Sequence, residues 1–588
     1  MMSPKSWRIA AKAPPGHLLQ FPHLHRLLVQ TLYNRGITEP ERVSAFLDPD
    51  SARVNPFALQ GMNDAVTRIR RALRAGERTA VYGDFDADGV TATALLVETL
   101  QALGADVQPY IPDRHSEGYG LKKEALTLLA RAGVDLVITV DCGIRACEQI
   151  AHAGRLGLDV IVTDHHSLGR QLPPAAAVIN PWRDAATSPS HQAWSDGLSG
   201  SGVAYQVARA LLLSNRQSPV SEREVLLEED HLLDLVALGT VADVVPLLGE
   251  NRALVRRGLQ RINAMERVGI RALCQKAGLK PGSVDAGSLG YVLGPRLNAA
   301  GRIAHARSAY RLLMTHDPDE AAELAGLLDT LNRQRQEVTR AAQEKARWMV
   351  SEVVDSACLL FAAAPDFPAG IAGLVASRLT DEFYRPSVVV SIGETLSRGS
   401  ARSIAEFDIA EALERCEDLL VRHGGHAAAG GFTVANDQLD PLAHRLQQIA
   451  ADQLGDQELM PTLTVDAEVD LSSMSWDLCE QLARLEPCGC GNERPLFVSR
   501  SAHVCRSRAV GRESSHLKLT ISDGMAAWDA IAFRQGEWAG QLPDAVDLAY
   551  YLEVNEWNGQ RQLQLNVQDI QPATSWDGGG ADLETAAR

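Results

Sequence analysis

The sequence predicts an α/β protein: a parallel-sheet domain, a smaller α/β domain joined to it by a long helix, and a β-rich domain that follows. Three observations carry this reading. Between residues 79 and 180, short apolar runs alternate with amphipathic helical stretches, the pattern of βαβ units in a parallel sheet. Residues 317–354 contain neither Pro nor Gly after their start apart from Gly326, which suits one helix spanning between domains. From about 461 the periodicity changes to short alternating strands with turn signals. At 588 residues the chain is also too long for a single core.

The elements follow in order. Residues 1–50 form an N-terminal segment, and its start, "MMSPKSWRIAAKAPPGH", lacks the apolar stretch of a secretory signal. In the first domain, 51–270, "TAVYG" is a buried strand, 90–104 a helix and "DVQPYI" a strand. "LKKEALTLLARAG" is then a helix, "VDLVITV" a strand, "RACEQIAHAGRLG" a helix and "LDVIVT" a strand. Helical character dominates from about 200 to 276, and 271–355 are a helical connector. The second α/β domain, 356–455, contains "ACLLFAA", a helix over 370–382, "PSVVVSI", a helix from about 408 and "GGFTV". Residues 456–573, with "HLKLTISDG", "WDAIAF" and "LQLNVQDI", suit a small barrel of the oligonucleotide/oligosaccharide-binding kind (OB-fold) or a sandwich. The last residues, 574–588, read as a frayed tail.

Composition narrows the class. No run of about 18 apolar residues is present, so no spanning helix is expected. Nine cysteines, an odd number without regular spacing, suit a reduced, cytoplasmic setting. The net charge of −17 runs against a nucleic-acid ligand unless charge is segregated, or unless carboxylates counted as negative hold metal.

The stretch "VYGDFDADGVTATALL" places Asp84, Asp86 and Asp88 at every second position. Close carboxylates raise the cost of ionising one another, and either a bound cation or solvation at a loop tip must offset it. The neighbouring strands also end in acid or imidazole: "VITVDCG" in Asp141, and "VIVTDHH" in Asp164, His165 and His166. "LVALGTVADVVPL" brings Asp243 out of a further apolar segment. Singly, each is readable as a helix cap or a solvated turn. Jointly they favour metal, because ligands of parallel sheets bind beyond the carboxyl ends of the strands. So oxygen-rich a set prefers Mn²⁺ or Mg²⁺ to zinc. Two such ions about 3.5–4 Å apart clamp an in-line attack of water on phosphorus.

In this order, "GDFDADG", "VDCG", "TDHH" and "ALGTVADVVPL" resemble the motifs of the DHH phosphoesterase superfamily. "GPRLNAAGRI", "GIAGLVASRL", "SARSI", "RHGGHAAAGGF" and "LEPCGCGNERPLF" are similar to those of its RecJ family of single-strand-specific DNA exonucleases, over about 50 to 570. The resemblance implies an enzyme with two Mn²⁺ or Mg²⁺ ions that degrades single-stranded DNA from the 5′ end, in repair and recombination. It implies a DHH domain facing a DHHA1 domain across a narrow channel, followed by an OB-fold domain.

The implied metal ligands are Asp84, Asp86, Asp88, Asp141, His165 and Asp243. Asp164 either ligates or orients His165, and His166 contacts the scissile phosphate or its leaving group. On the opposite wall, Gly424, Gly425 and His426 approach the strand, although glycines alone also suit a tight turn. Ser400, Arg402 and Ser403 form a cradle for a terminal phosphate. Arg114, Arg296 and Arg302 are further substrate contacts, each also readable as an ordinary ion pair. Single-stranded DNA is the implied partner, with a single-strand-binding protein and a helicase beside it and no membrane. Rival readings are a phosphodiesterase of short oligonucleotides and a catalytically silent DNA-binding scaffold.

Two features stand apart. Cys488 and Cys490 form a Cys-x-Cys pair without a second pair at zinc-finger spacing, so they read as ordinary thiols. Residues 494–520 hold six Lys or Arg and one acid. Arg500, Arg506, Arg508, Arg512 and Lys518 there form either a solvated sheet face or an electrostatic track for a single strand.

Overall fold

Strand Thr79–Tyr82 (β1) is buried on both faces, which an alternating apolar/polar sequence would not permit. It lies inside a five-stranded, all-parallel sheet with Val107–Tyr110 (β2), Leu136–Val140 (β3), Asp159–Thr163 (β4) and Ala177–Ile179 (β5). The order across the sheet is β2-β1-β3-β4-β5. The computed structural model describes residues 5–48, 54–114, 116–185, 197–354, 356–455, 457–557 and 559–573; the expected tail, 574–588, lies outside these.

The period-two geometry of the strands divides their side chains between two cores. Val81, Ile138 and Ile161 pack under the helices Met62–Ala75, Ala87–Ala102 and Gly200–Gln217. Ala80, Val137 and Val160 pack under Lys123–Arg131 and Cys147–Arg155. The connection passes from β1 to β2 on one side and then to β3 on the other. The sheet therefore has its switch point between β1 and β3, where a ligand crevice opens.

The stretch expected to be one long helix is one: Pro318–Val350, 33 residues and about 50 Å at 1.5 Å per residue. Asp317 caps its start, accepting from the Asp319 N–H, and Pro318 sits at the first turn, where its missing N–H costs nothing. Leu324 and Leu328 belong to the core of the first sheet, and Ala342, Ala346 and Val350 to that of the second.

The second sheet contains Leu360–Ala364 (β6), Ser387–Ser391 (β7), Leu396–Arg402 (β8), Leu420–His426 (β9) and Ala429–Ala435 (β10). Its order is β9-β10-β8-β7-β6, with only β6 and β7 parallel. The glycines of "RHGGH" do not form a tight turn: they lie in β9, and the turn falls at Ala427 and Ala428.

The chain divides into two compact units, and everything above belongs to the one made of 49–459 and 487–492. The other contains Phe497–Val510 (β11), His516–Ser522 (β12), Ala527–Ala532 (β13), Ala545–Trp557 (β14) and Gln560–Pro572 (β15). β11 pairs with β12, β12 with β13, β13 with β15, β15 with β14, and β14 returns to β11. The ring is closed, so the expected barrel is present and the sandwich is not. Closure leaves the barrel strands without a free edge. The N-terminal strand Ser6–Ile9 belongs to this unit and pairs in parallel with Thr462–Val465. No helix among the described residues is long and apolar enough to cross a membrane.

Candidate active site

The carboxyl edge of the first sheet delivers Asp84 and Asp86 after β1, Asp141 after β3, and Asp164, His165 and His166 after β4. Asp243 arrives differently from its neighbours. It caps the C-terminus of the helix Leu233–Ala242, where the helix dipole disfavours a carboxylate. The helical character expected over about 200–276, and the cap reading open for Asp243, agree with this placement.

Close packing at this edge is made possible by absent side chains. A Cβ on Gly89 would lie 2.7 Å from the Asp84 backbone N, and one on Gly200 would lie 2.6 Å from the Asp141 Cβ. A Cβ on Gly239 would reach within 2.6 Å of the Asp88 Oδ1. Asp86 doubles as the cap of Ala87–Ala102, accepting from the Gly89 N–H at 3.0 Å. Asp88 accepts from the N–H groups of Gly200 (2.6 Å) and Ser201 (2.9 Å) at the start of another helix. These donors offset part of its charge.

Three sets of donors lie close enough to share an ion: Asp84, Asp86 and Asp141; Asp88, His165 and Asp243; and Asp141, His165 and His166. The Nε2 of His165 is 3.0 Å from Asp141 Oδ1, 3.5 Å from Asp243 Oδ2 and 4.0 Å from Asp88 Oδ2. Burial holds the His165 pKa below its ordinary value, which favours the neutral ring that a metal ligand requires. The Nε2 of His165 and the Oδ1 atoms of Asp84 and Asp141 are all buried without a hydrogen bond. Such a convergence of unsatisfied lone pairs is costly alone and is resolved by a cation. The residues present therefore fit divalent metal.

Burial, followed by the mutual repulsion of the carboxylates, pushes Asp84, Asp141 and Asp243 well above the usual carboxylate range. Groups raised in this way take up protons on folding, and their destabilisation grows as pH rises above the unfolded carboxylate value of about 4. In EDTA the melting temperature should therefore fall as pH rises above about 4, and the gain from added Mn²⁺ should grow in the same direction. A metal-induced gain independent of pH would contradict this assignment.

Asp164 is spent differently. It accepts from the Nδ1 of His166 at 2.8 Å and from the N–H groups of His165 (2.8 Å), His166 (3.1 Å) and Ile144 (2.9 Å). It thus orients the ring of His166 rather than that of His165. Burial is the largest single influence and works against ionisation of both Asp164 and His166, but their hydrogen bond, their mutual charge and the neighbouring groups together outweigh it, lowering the Asp164 pKa and raising that of His166. Trp182 and Asn180, after β5, donate to the carbonyls of His165 (2.7 Å) and His166 (2.9 Å).

Of the expected substrate contacts, three arginines share one locality. Arg114 stacks 4.0 Å over Phe85, and its Nε is buried without a partner. Burial, reinforced by Arg114 and Arg335, pushes Arg302 down to about 10, with Arg402 also near enough to contribute. Burial likewise lowers Arg402. A Cβ on Gly373 would lie 3.4 Å from Arg402 Nη2 and 3.7 Å from Ser400 Oγ, so Ser400 and Arg402, two apart on β8, share one face. Arg296 is not part of this group: its Nη2 lies 3.0 Å from Asp329 of the long helix. The Ser403 hydroxyl is used internally, donating to the Phe407 carbonyl at 2.6 Å. Gly424 and His426 are exposed on β9, and a Cβ on Gly425 would meet the Ala429 carbonyl at 2.3 Å.

In the barrel unit, Arg506, Arg508 and Arg512 are exposed. Arg500 is instead held by Asp547 (2.8 Å) and Glu468 (3.2 Å), and Lys518 lies 3.7 Å from Asp529. Cys488 is half-buried and Cys490 exposed, neither is in a disulfide, and among the described residues none of the metal-capable clusters includes a cysteine.

The sequence reading missed Asn298, whose Oδ1 accepts from the Ala87 N–H at 2.8 Å and fixes the aspartate loop. It also missed Gly200 and Ser201, although "LSGSGVAYQ" carries a helix-start signature at Ser199.

Family models match three segments: the DHH family N-terminal domain over 78–240, the DHHA1 domain over 355–452 and the RecJ OB domain over 465–569. The single-stranded-DNA-specific exonuclease RecJ of Bacillus subtilis is 37% identical over 93% of this chain and 68% of its own length. That of Salmonella typhimurium is 37% identical over 87% of this chain and 91% of its own. The crystal structure of RecJ from Thermus thermophilus in complex with Mn²⁺ superposes with a TM-score of 0.83 at 32% identity, covering 98% of this chain and 81% of that one. A Mg²⁺ complex from the same organism gives 0.77 at 31% identity, covering 98% and 80%. With the three domains matched in order and identity above 30% along nearly the whole length, this chain belongs to the RecJ family.

Proposed function

We infer that this protein is an exonuclease specific for single-stranded DNA that hydrolyses phosphodiester bonds with two bound Mn²⁺ or Mg²⁺ ions. The observation that carries this is the cluster of buried, unsatisfied donor atoms at the strand ends, beside arginines that make no ion pair with a carboxylate among the described residues. The family membership supplies the substrate. When bound, the ions lower the pKa of water and neutralise charge developing on the phosphate. Asp84, Asp86, Asp88, Asp141, His165 and Asp243 hold them. His166, fixed by Asp164, presents its ring to the scissile phosphate or leaving group. Arg114, Arg302, Ser400 and Arg402 bind the 5′-terminal phosphate, and Gly424, Gly425 and His426 line the opposite wall.

Cleavage proceeds 5′ to 3′ in DNA repair and recombination. The protein acts in the cytoplasm without membrane attachment, alongside a single-strand-binding protein and a helicase. Single strands labelled at either end and digested with Mn²⁺ test the reading: the 5′ label should leave first, as a mononucleotide. Early release of the 3′ label would reverse the polarity.

The barrel contributes affinity through Arg506, Arg508 and Arg512, since Arg500 and Lys518 already face carboxylates. Each lost phosphate contact lowers the salt slope of single-strand binding by roughly 0.7, so the triple alanine variant should lose about two units of slope on a long strand. Turnover on saturating short oligonucleotides should barely change. An unaltered slope would mark the three as a solvated face.

A further inference from the structure

The −17 chain holds a cationic cavity at one end of the acid cluster. It has a volume of about 320 Å³, at the small end of ligand sites and enough for one nucleotide. One wall is the carboxyl edge of the first sheet, with His166, Arg145 and the loop bearing Tyr119 and Lys122; Arg422 of β9 supplies the other. Its single lining carboxylate, Asp164, is fully engaged by His166 and three backbone N–H groups. Lys122 and Arg422 make no ion pair among the described residues. Burial, and then the charge of Arg422, lower the Lys122 pKa despite Glu124 and Glu117, so the two cations repel each other across the space. Arg145 is clamped by Ser167, to whose carbonyl its Nε donates at 3.0 Å, directly after the histidine pair. Like charges brought together by two domains, with no acid between them, are arranged for an anion.

The sheet order says which anion. Arg114 follows β2 and the arginine group lies beside Asp86, whereas the cavity adjoins the residues after β4, with β1 and β3 between. A strand whose terminal phosphate meets the arginines and whose scissile phosphate meets the acid cluster continues into the cavity. We propose that Lys122, Arg145 and Arg422 form a subsite for the phosphodiester immediately 3′ of the scissile one, with Tyr119 and His426 flanking its sugar and base. The subsite rests on the exonuclease reading above and adds a second anchor to it. Held on both sides, the scissile phosphate is positioned rather than merely bound.

The test couples protein to substrate. Strands carrying one neutral methylphosphonate, placed at successive positions, are digested by the full-length wild type and by the Lys122→Ala/Arg422→Ala variant. Neutralising the phosphate 3′ of the scissile bond should cost the wild type about tenfold in kcat/KM, the scale of a charge-assisted contact. The variant should lose about as much on the native strand and nothing further on the neutralised one. Arg422 is exposed on an edge strand, and Arg422→Lys should recover most of the activity, which a folding defect would not. Independent, multiplicative losses would overturn the subsite, as would coupling to a phosphate on the 5′ side. A wild type that shortens neither strand would overturn the exonuclease reading itself, and the subsite with it.

Discussion

Asp141→Ala and Asp243→Ala should each lose single-strand cleavage by about 10³-fold or more while keeping much of the DNA affinity. Asp141 belongs to two of the three ligand sets, and Asp243 completes the one containing Asp88 and His165. Losing one carboxylate displaces an ion whose contribution to the transition state is several kcal/mol, and each 1.4 kcal/mol is tenfold in rate. The barrel and the arginines, proposed above to carry much of the binding, are untouched. Asp141 lies at φ 59, where alanine costs about 1–2 kcal/mol and asparagine is tolerated. Asp141→Asn therefore separates folding from chemistry: it should be folded and equally inactive. Removing one buried, repelling carboxylate should also raise the melting temperature in EDTA near neutral pH. Near-wild-type turnover by Asp141→Asn or Asp243→Ala would sink the metal assignment.

A linear single strand with a free 5′ phosphate should be shortened from that end, while a circular strand and a blunt duplex resist. Arg402 and Ser400 share one face of β8, beside Gly373 near the start of the helix Ala372–Phe383. Arg114 and Arg302 lie in the same locality. Among the described residues none of these arginines is in an ion pair with a carboxylate, and burial holds the pKa of each below the usual value. Such cations are costly to leave unpaired, which a doubly charged terminal phosphate corrects better than an internal phosphodiester does. Arg402→Ala should therefore lower kcat/KM on a 5′-phosphorylated strand by about 10–100-fold, corresponding to one charge-assisted contact of about 1.5–3 kcal/mol. Affinity for an internal segment should hardly move. Efficient digestion of circles would remove the need for an end, and equal losses on ended and circular DNA would make Arg402 a general backbone contact.

The amino-acid sequence determined by itself the parts whose physics is local. A strand such as "LVITV" buried on both faces is an unbroken apolar run, and the helix Pro318–Val350 shows its cap, its first-turn proline and its uninterrupted length. The metal cluster was legible for the same reason. Apart from Asp243, the ligands follow apolar strands, and a parallel sheet must bring the carboxyl ends of its strands to one edge, so these acids converge as a consequence of topology.

Only the tertiary structure decided the rest. Strands β8 and β9 are built from "LSRGSAR" and "LVRHGGH", whose glycines and polar residues have little strand propensity; cross-strand pairing with β10 imposes the conformation. That Asp243, at the end of a helix, meets His165 and Asp88 from the sheet edge is a matter of packing, because the apolar run before it is buried nearly all round and shows no amphipathic face. The roles of the arginines were undecidable locally. Arg296 and Arg302 stand six apart in one motif, yet one meets Asp329 of the long helix and the other joins Arg114 and Arg402. An ionic side chain takes its function from the charges around it, and residues distant in sequence supply those charges.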